Sequence, residues 1–178
     1  MFNPSKKLVV DCYDDTDFAG LWGHENLQYP ICARSKNGFV ETCNNCPILW
    51  VSKVQTDISL STLHSEYVAL SHSVGALLTL KSLIKEVIES LGIYSEKLKF
   101  VSSSTVYEDN NGSTVVAKSP SITPTPKQIS VKYNLFRKQV GKEFVIQKIE
   151  SENQKADIFT KCLQGELFVS IRKFLCSW

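Results

Sequence analysis

The fold of this chain is decided by its residues 8–17, LVVDCYDDTD. The apolar and β-branched residues 8–14 predict a strand, and a run of carboxylates, residues 14–17, ends it. Residues 38–42 and 47–53 predict two more strands joined by a tight turn. We expect the first strand to pair with these two as an antiparallel meander, which places the carboxylates at one edge of a sheet.

The rest of the chain alternates between helical and strand periods. Apolar residues recur at three, four or seven positions over residues 62–91, which predicts one long helix. Two further strands are predicted at residues 100–107 and 143–149, and the proline-rich residues 119–126 predict a loop. Shorter helices are predicted at residues 111–118, 131–140, 153–161 and 167–175. This order indicates the α/β class, with a mixed five-stranded sheet flanked by helices, in one domain over residues 1–178.

The composition is that of an ordinary soluble domain, with 178 residues, 43% of them hydrophobic and 21% charged. A net charge of +2 is compatible with a nucleic-acid partner, although proteins that bind nucleic acid through charge alone usually have a larger excess of positive charge. No run of 18 or more apolar residues occurs, so no membrane partner is expected. The N-terminus has no apolar stretch suited to export. We therefore expect reduced cysteines and a location in the cytosol or nucleus, without secretion.

Four short stretches place carboxylates at strand ends or in the first turn of a helix: residues 13–17, 65–67, 107–110 and 155–157. An α/β fold brings such positions together over one edge of its sheet. Clustered carboxylates without a cation repel one another, so a cluster of this kind makes sense as a site for divalent metal. Two-metal sites serve in-line phosphodiester chemistry, so the pattern predicts a metal-dependent nuclease. The alternative is ordinary surface charge, because the chain has eighteen acidic residues from which to choose four.

Five motifs resemble, in order and spacing, the ribonuclease H domain of copia-type retrotransposon polyproteins. They are CYDDTDFAG at residues 12–20, ILWVSKVQ at 48–55, LSTLHSEYVALS at 60–71, EDN at 108–110 and QKADIFTK at 154–161. The resemblance implies a ribonuclease H-like fold and a magnesium-dependent endoribonuclease that cuts the RNA strand of RNA–DNA hybrids during reverse transcription. It also implies a reverse transcriptase polymerase domain upstream in the same polyprotein, and virus-like particles as a further location.

Carried over position by position, the resemblance puts the catalytic, metal-binding carboxylates at Asp15, Glu66, Asp109 and Asp157. They would hold two Mg²⁺ ions, with Mn²⁺ as the other candidate metal. The family usually has a small residue at the position of Asp14, an acidic residue at that of His64 and a histidine at that of Gln128. These departures keep an alternative open: a catalytically decayed or repurposed module that binds nucleic acid or supports a polymerase domain.

Contacts to the hybrid are predicted for Arg34, Lys36, Lys53 and Asn110. Lysine and arginine bind backbone phosphates, and polar groups follow the minor groove and its 2′-OH groups. Ordinary surface charge is the competing interpretation of the basic residues. Trp50 is expected in the core. The CxxC spacing of Cys43 and Cys46 has no second pair at a suitable distance, so no metal or redox role is expected for it.

Overall fold

The computed structural model describes residues 7–22, 29–92, 99–100, 103–112, 114 and 138–176. Within them the strands are β1 (Lys7–Leu8), β2 (Val10–Asp17), β3 (Lys36–Cys43), β4 (Cys46–Val54), β5 (Lys99–Phe100), β6 (Ser104–Glu108) and β7 (Phe144–Lys148). The longer helices are α1 (Thr62–Ser90) and α2 (Gly165–Cys176). Short 3-10 helices cover Pro30–Ala33, Ser151–Asn153 and Lys155–Phe159.

Five of the described strands form one mixed sheet in the order β4-β3-β2-β6-β7. β2 pairs antiparallel with β3, and β3 pairs antiparallel with β4. β6 lies parallel between β2 and β7. The predicted meander and the predicted mixed five-stranded sheet with flanking helices are therefore confirmed. β1 and β5 form a separate parallel pair.

The turn between β3 and β4 consists of two asparagines with left-handed backbone, Asn44 at φ 49° and Asn45 at φ 65°. Asparagine tolerates this conformation, and two such residues in succession suit the twist of a hairpin. Cys43 and Cys46 flank the turn as paired strand residues, and both are free thiols. The predicted tight turn is confirmed, and the CxxC spacing is the spacing of a two-residue hairpin.

The core lies between the sheet and one face of α1. The buried cluster comprises Val10, Cys12, Phe39, Tyr67, Leu70, Val74, Leu77, Val106, Phe144 and Ile146. Its helical members recur at three or four residues, as an amphipathic helix requires. Full burial of an apolar side chain of this size contributes about 1.5–3 kcal/mol, so this face fixes the helix on the sheet.

Both ends of α1 are marked by local sequence. The Ser61 hydroxyl accepts a hydrogen bond from the backbone N–H of His64 at 3.1 Å, which caps the start. Gly92 follows the end with a φ of 61°, a conformation that costs glycine little. By length and hydropathy alone α1 could also cross a membrane, a test that core helices of soluble proteins pass as well. Here its apolar face packs on the sheet.

Two expectations are corrected by the structure. The helix predicted at residues 153–161 is a shorter 3-10 helix, Lys155–Phe159, and a separate one covers Ser151–Asn153; the extended Gln154 divides them, and its side chain caps the N–H of Ala156. Trp50 does not lie in the core, and 58% of its surface is exposed. It lies on β4, which among the described strands has β3 alone as a neighbour in the sheet.

Several predicted elements fall partly outside the described residues. Of the predicted helix 111–118, residues 111, 112 and 114 are helical, and the others lie outside the described residues. The predicted helix 131–140 is described only at residues 138–140, which form a turn and an isolated bridge. The predicted loop 119–126, with Gln128 after it, lies outside the described residues.

Candidate metal centre

The carboxyl ends of β2 and β6 lie side by side. The two strands are parallel neighbours, with Tyr13 opposite Tyr107 and their rings stacked at a centroid distance of 4.6 Å. Asp15 lies two residues further along β2, and Asp109 follows β6 directly. Parallel pairing therefore carries two of the predicted carboxylates to the same edge of the sheet.

Asp157 reaches this edge on the 3-10 helix Lys155–Phe159, which lies against β3. Gly38, the residue that pairs with Asp15 in the sheet, lies at this contact. A Cβ at Gly38 would lie 2.7 Å from Thr160 Cγ2 and 2.8 Å from Phe159 Cβ. Only glycine leaves room for this contact, so Gly38 sets how close Asp157 comes to Asp15.

The fully buried Gln154 fixes the 3-10 helix to β2. Its Nε2 donates a hydrogen bond of 2.8 Å to the carbonyl oxygen of Asp14, and its Oε1 accepts one of 3.2 Å from the N–H of Ala156. The Thr160 hydroxyl donates a short hydrogen bond to Asp15 Oδ2. These bonds hold the backbone on both sides of Asp157 in register with Asp15.

One carboxylate oxygen each of Asp15, Asp109 and Asp157 lies within 4.8 Å of the other two. Asp15 and Asp157 are buried, and Asp109 is half-buried with its Oδ2 accepting a 2.7 Å hydrogen bond from Ser151. Carboxylate oxygens are the ligands that Mg²⁺ prefers, and such a compact set fits a small divalent ion. The structure thus brings together three of the four predicted carboxylates.

Glu66, the fourth, lies beside this group in the first turns of α1. Asn110 Nδ2 donates a 3.4 Å hydrogen bond to Glu66 Oε1, and the buried Oε2 has no hydrogen-bond partner. Burial, followed by the charge of Asp15, raises the pKa of Glu66 to about 8. A buried carboxylate oxygen that accepts no hydrogen bond, close to Asp15 and Asp109, fits a fourth ligand for a divalent ion.

Lys161 supplies positive charge to the group. Its Nζ lies 3.0 Å from Asp15 Oδ1 and 2.9 Å from Asp157 Oδ1. Burial opposes the charge of Lys161, but the two carboxylates raise its pKa above the ordinary value. Burial raises the pKa of Asp157 to about 6, although the hydrogen bond from Lys161 acts in the opposite direction. Sequence analysis assigned no role to this lysine.

Two further carboxylates, Asp14 and Glu108, are completely buried behind the aspartate group. Both oxygens of Asp14 and Oε2 of Glu108 lack hydrogen-bond partners, while the N–H of Asn110 donates to Glu108 Oε1 at 2.9 Å. Burial raises the pKa of Asp14 and of Glu108 well above their ordinary values, and Glu66 adds to the effect on both. Alternate residues of a strand face the same side, so the burial of Val10 and Cys12 on β2 was a signal from which the burial of Asp14 could have been predicted.

A buried amide, Gln55, positions the start of α1, although sequence analysis gave it no role beyond its motif. Its Nε2 donates hydrogen bonds to Asn37 Oδ1 at 2.5 Å and to the carbonyl oxygen of Ser65 at 3.0 Å. Its Oε1 accepts from the Ser59 hydroxyl at 2.7 Å. Since Ser65 precedes Glu66, these bonds fix where Glu66 enters the site.

The predicted hybrid-contacting residues lie towards the same end of the sheet. Lys36 begins β3 opposite Asp17, and Lys53 pairs with Asn37 near the end of β4. Arg34 directly follows the 3-10 helix Pro30–Ala33, and Asn110 contacts Glu66. Of the four, Asn110 contacts the carboxylate group directly, and the contact of all four with nucleic acid stays a prediction.

Comparison with known proteins gives two kinds of match. Over 161 residues, 90% of the chain, it is 27% identical to the retrovirus-related Pol polyprotein from transposon TNT 1-94 of Nicotiana tabacum. Over 162 residues it is 28% identical to the Pol polyprotein from transposon RE2 of Arabidopsis thaliana. The chain spans 11% and 10% of the length of these relatives. The resemblance to copia-type polyproteins is therefore confirmed. No protein-family model matches the chain.

Among solved structures, the chain is similar to LC11-RNase H1, whose crystal structure is a complex with an RNA/DNA hybrid. The TM-score is 0.52 at 17% identity, covering 85% of this chain and 93% of that one. At this identity the likeness concerns the fold. The ribonuclease H-like fold predicted from the sequence is confirmed.

Proposed function

We propose that this chain is a metal-dependent ribonuclease H that cleaves the RNA strand of RNA–DNA hybrids during reverse transcription of a retrotransposon. The observation that carries the proposal is the group of three carboxylates within 4.8 Å of one another, at the carboxyl edge of a ribonuclease H-like sheet. One fold can serve many functions, whereas this carboxylate group offers the ligands for the divalent ions that hydrolysis of a phosphodiester uses.

Asp15, Asp109 and Asp157, joined by Glu66, would hold two Mg²⁺ or Mn²⁺ ions through oxygen ligands. Bound divalent ions lower the pKa of the attacking water and stabilise charge on the phosphate and on the leaving 3′ oxygen. The remaining task of the protein is positioning. Ser151 orients Asp109, and Gln154 fixes the helix of Asp157. The proposed reaction needs no nucleophilic side chain.

Substrate contacts in this proposal come from Arg34, Lys36, Lys53 and Asn110. Phosphate contacts orient a hybrid without reading its sequence, which suits a nuclease that processes a whole genome copy. Because the chain spans about a tenth of its relatives, a polymerase domain upstream in the same polyprotein is proposed to share the hold on the hybrid. The protein would act in the cytosol or nucleus, or within virus-like particles.

Cleavage of an RNA–DNA hybrid labelled on its RNA strand tests the proposal. We expect hydrolysis with Mg²⁺ or Mn²⁺, none with EDTA, and none of single-stranded RNA or duplex DNA. Asp15→Asn and Asp157→Asn should each lower the rate at least about a hundredfold, because each removes a metal ligand's charge. Glu86→Gln is the matched control, since Glu86 is exposed near the end of α1, about 30 Å along the helix axis from Glu66. Cleavage that survives both ligand variants would contradict the proposal.

A second function, a non-catalytic module that binds hybrids, is favoured by Asp14 and Glu108. Both stand buried and incompletely hydrogen-bonded directly before predicted metal ligands, an arrangement that costs stability. This reading predicts hybrid binding that weakens steeply with salt but no turnover with either metal. Metal-dependent cleavage by the wild-type chain would exclude it.

A further inference from the structure

We propose that the Lys161 ammonium occupies the metal position in the metal-free protein and leaves it when a divalent ion binds, so that Lys161 sets the metal affinity of the site. The inference rests on the proposed function, because it concerns the same carboxylate group. It goes further in assigning a role to a residue that is not itself a ligand.

The geometry shows one cation bridging two ligands. Lys161 Nζ contacts one oxygen of Asp15 and one of Asp157, at 3.0 and 2.9 Å. Both aspartates belong to the group whose oxygens lie within 4.8 Å of one another. A divalent ion bound by both would take one oxygen of each carboxylate as a ligand at about 2.0–2.1 Å, in the space between the two side chains that the ammonium bridges. The ammonium and the ion therefore compete for the same place.

The backbone around Lys161 is fixed, so the exchange concerns its side chain. The N–H of Lys161 donates a 2.8 Å hydrogen bond to the carbonyl oxygen of Asp157, and Thr160 is bonded to Asp15. The four-carbon stem of a lysine can rotate while this backbone stays in place. The side chain is 38% exposed, so a path to solvent is open.

A second carboxylate stands near this path. Burial and the charge of Asp15 raise the pKa of Asp17, and the nearby charges of Lys161 and Lys36 act in the opposite direction. Asp17 is less buried than Asp15, and it lies two residues further along β2 on the same strand face. Asp17 offers the displaced ammonium a partner outside the ligand group.

In the metal-free state Lys161 relieves the repulsion between Asp15 and Asp157, and so stabilises the empty site. A divalent ion must break both ion pairs before it binds. Replacing Lys161 by an uncharged residue should therefore have two opposite effects: a lower stability without metal and a higher affinity for metal. A lysine with a merely structural role would give only the first effect.

The test measures Mn²⁺ binding by calorimetry in wild type and Lys161→Met, with the melting temperature of each in EDTA. We expect Lys161→Met to bind Mn²⁺ at least tenfold more tightly and to melt lower in EDTA. Lys155→Met is the matched control, since Lys155 lies on the 3-10 helix with its Nζ 5.7 Å from the Phe174 ring centre. The Mn²⁺ affinity of Lys155→Met should equal that of wild type.

A measurement on the wild-type chain keeps the test decisive if Lys161→Met folds poorly. Acetylation by an amine-reactive ester, followed by peptide mass spectrometry, should modify Lys161 several-fold faster with Mn²⁺ than with EDTA, because displacement frees the amine. The rate at Lys155 should not change. Equal affinity in wild type and Lys161→Met, or equal labelling with and without metal, would overturn the exchange alone. Absence of Mn²⁺ binding in both proteins would overturn the proposed function as well.

Discussion

Asp14 buries both carboxylate oxygens on the strand face that also carries Val10 and Cys12, and the nearby Ser73 hydroxyl donates its hydrogen bond to the carbonyl oxygen of Leu70 instead. We expect Asp14→Ser, the kind of small residue usual at this position in the resembling family, to raise the free energy of unfolding by about 1–3 kcal/mol. The gain comes from replacing a buried carboxyl group by a hydroxyl group, which costs less free energy to dehydrate on folding. Urea unfolding measures it.

The control for Asp14→Ser is Asp57→Ser, because Asp57 is exposed and its loss should change the free energy of unfolding by less than about 0.5 kcal/mol. A loss of stability in Asp14→Ser, with Asp57→Ser unchanged, would mean that Asp14 has a stabilising partner in solution.

Glu41, a residue outside the group of three aspartates, makes the stability of the protein depend on pH. It is fully buried in the middle of β3 with neither oxygen hydrogen-bonded, and burial raises its pKa to about 8. Between its ordinary pKa of about 4.5 and 8, the folded state keeps the proton that the unfolded state has lost. The contribution of Glu41 to the free energy of unfolding is therefore fully present below about pH 4.5 and is lost as the pH rises towards 8.

Glu41→Gln removes this titration. The free energy of unfolding should then fall less steeply between pH 5 and 8, by up to about 1.4 kcal/mol per pH unit. Denaturant unfolding at a series of pH values measures the slope. The exposed Glu152→Gln should leave the slope as in wild type. An unchanged slope in Glu41→Gln would show that the Glu41 carboxyl is hydrated or paired.

At the scale of elements, the contact of Gly38 on β3 with Phe159 and Thr160 determines how close Asp157 lies to Asp15. Gly38→Ala would force its Cβ into Thr160 and Phe159. We expect a loss of about 1–3 kcal/mol, as for other overpacked positions, together with weaker Mn²⁺ binding because Asp157 moves away from Asp15. Urea unfolding and calorimetry measure the two effects.

Gly75→Ala is the contrasting substitution, because a Cβ at Gly75 meets nothing within 4 Å and the residue lies in the interior of α1. It should stabilise the protein by roughly 0.5–1 kcal/mol through helix propensity and leave Mn²⁺ affinity unchanged. Equal effects of the two alanines would show that the contact at Gly38 does not position Asp157.

At the scale of the whole molecule, the sequence predicted the meander, the long helix and the two strands that complete the sheet. Each of these follows from a local period or a turn signal, such as Asn44 and Asn45. The family resemblance supplied the choice of Asp15 over Asp14, and the placement of Asp157 at the same edge agrees with it.

The remainder was not predictable because it depends on contacts between distant residues. Gln154 bonds to a carbonyl oxygen 140 residues away, and Lys161 to a carboxylate 146 residues away. No periodicity reports such pairs. The burial of Glu108 beside Asp14 likewise depends on the register of β2 against β6. The exposure of Trp50 depends on which strand ends the sheet.

The hydrogen bond from Thr160 to Asp15 joins residues 145 positions apart, and this separation has a consequence for synthesis. At 5–20 residues per second, a ribosome needs roughly 7–30 s to make the intervening chain. During that time the meander and α1 can fold, since their contacts are local. The third aspartate is made only at residue 157. A nascent chain can therefore hold the meander and α1 in place well before the three aspartates come together, and the carboxylate group is complete only after residue 157 has left the ribosome.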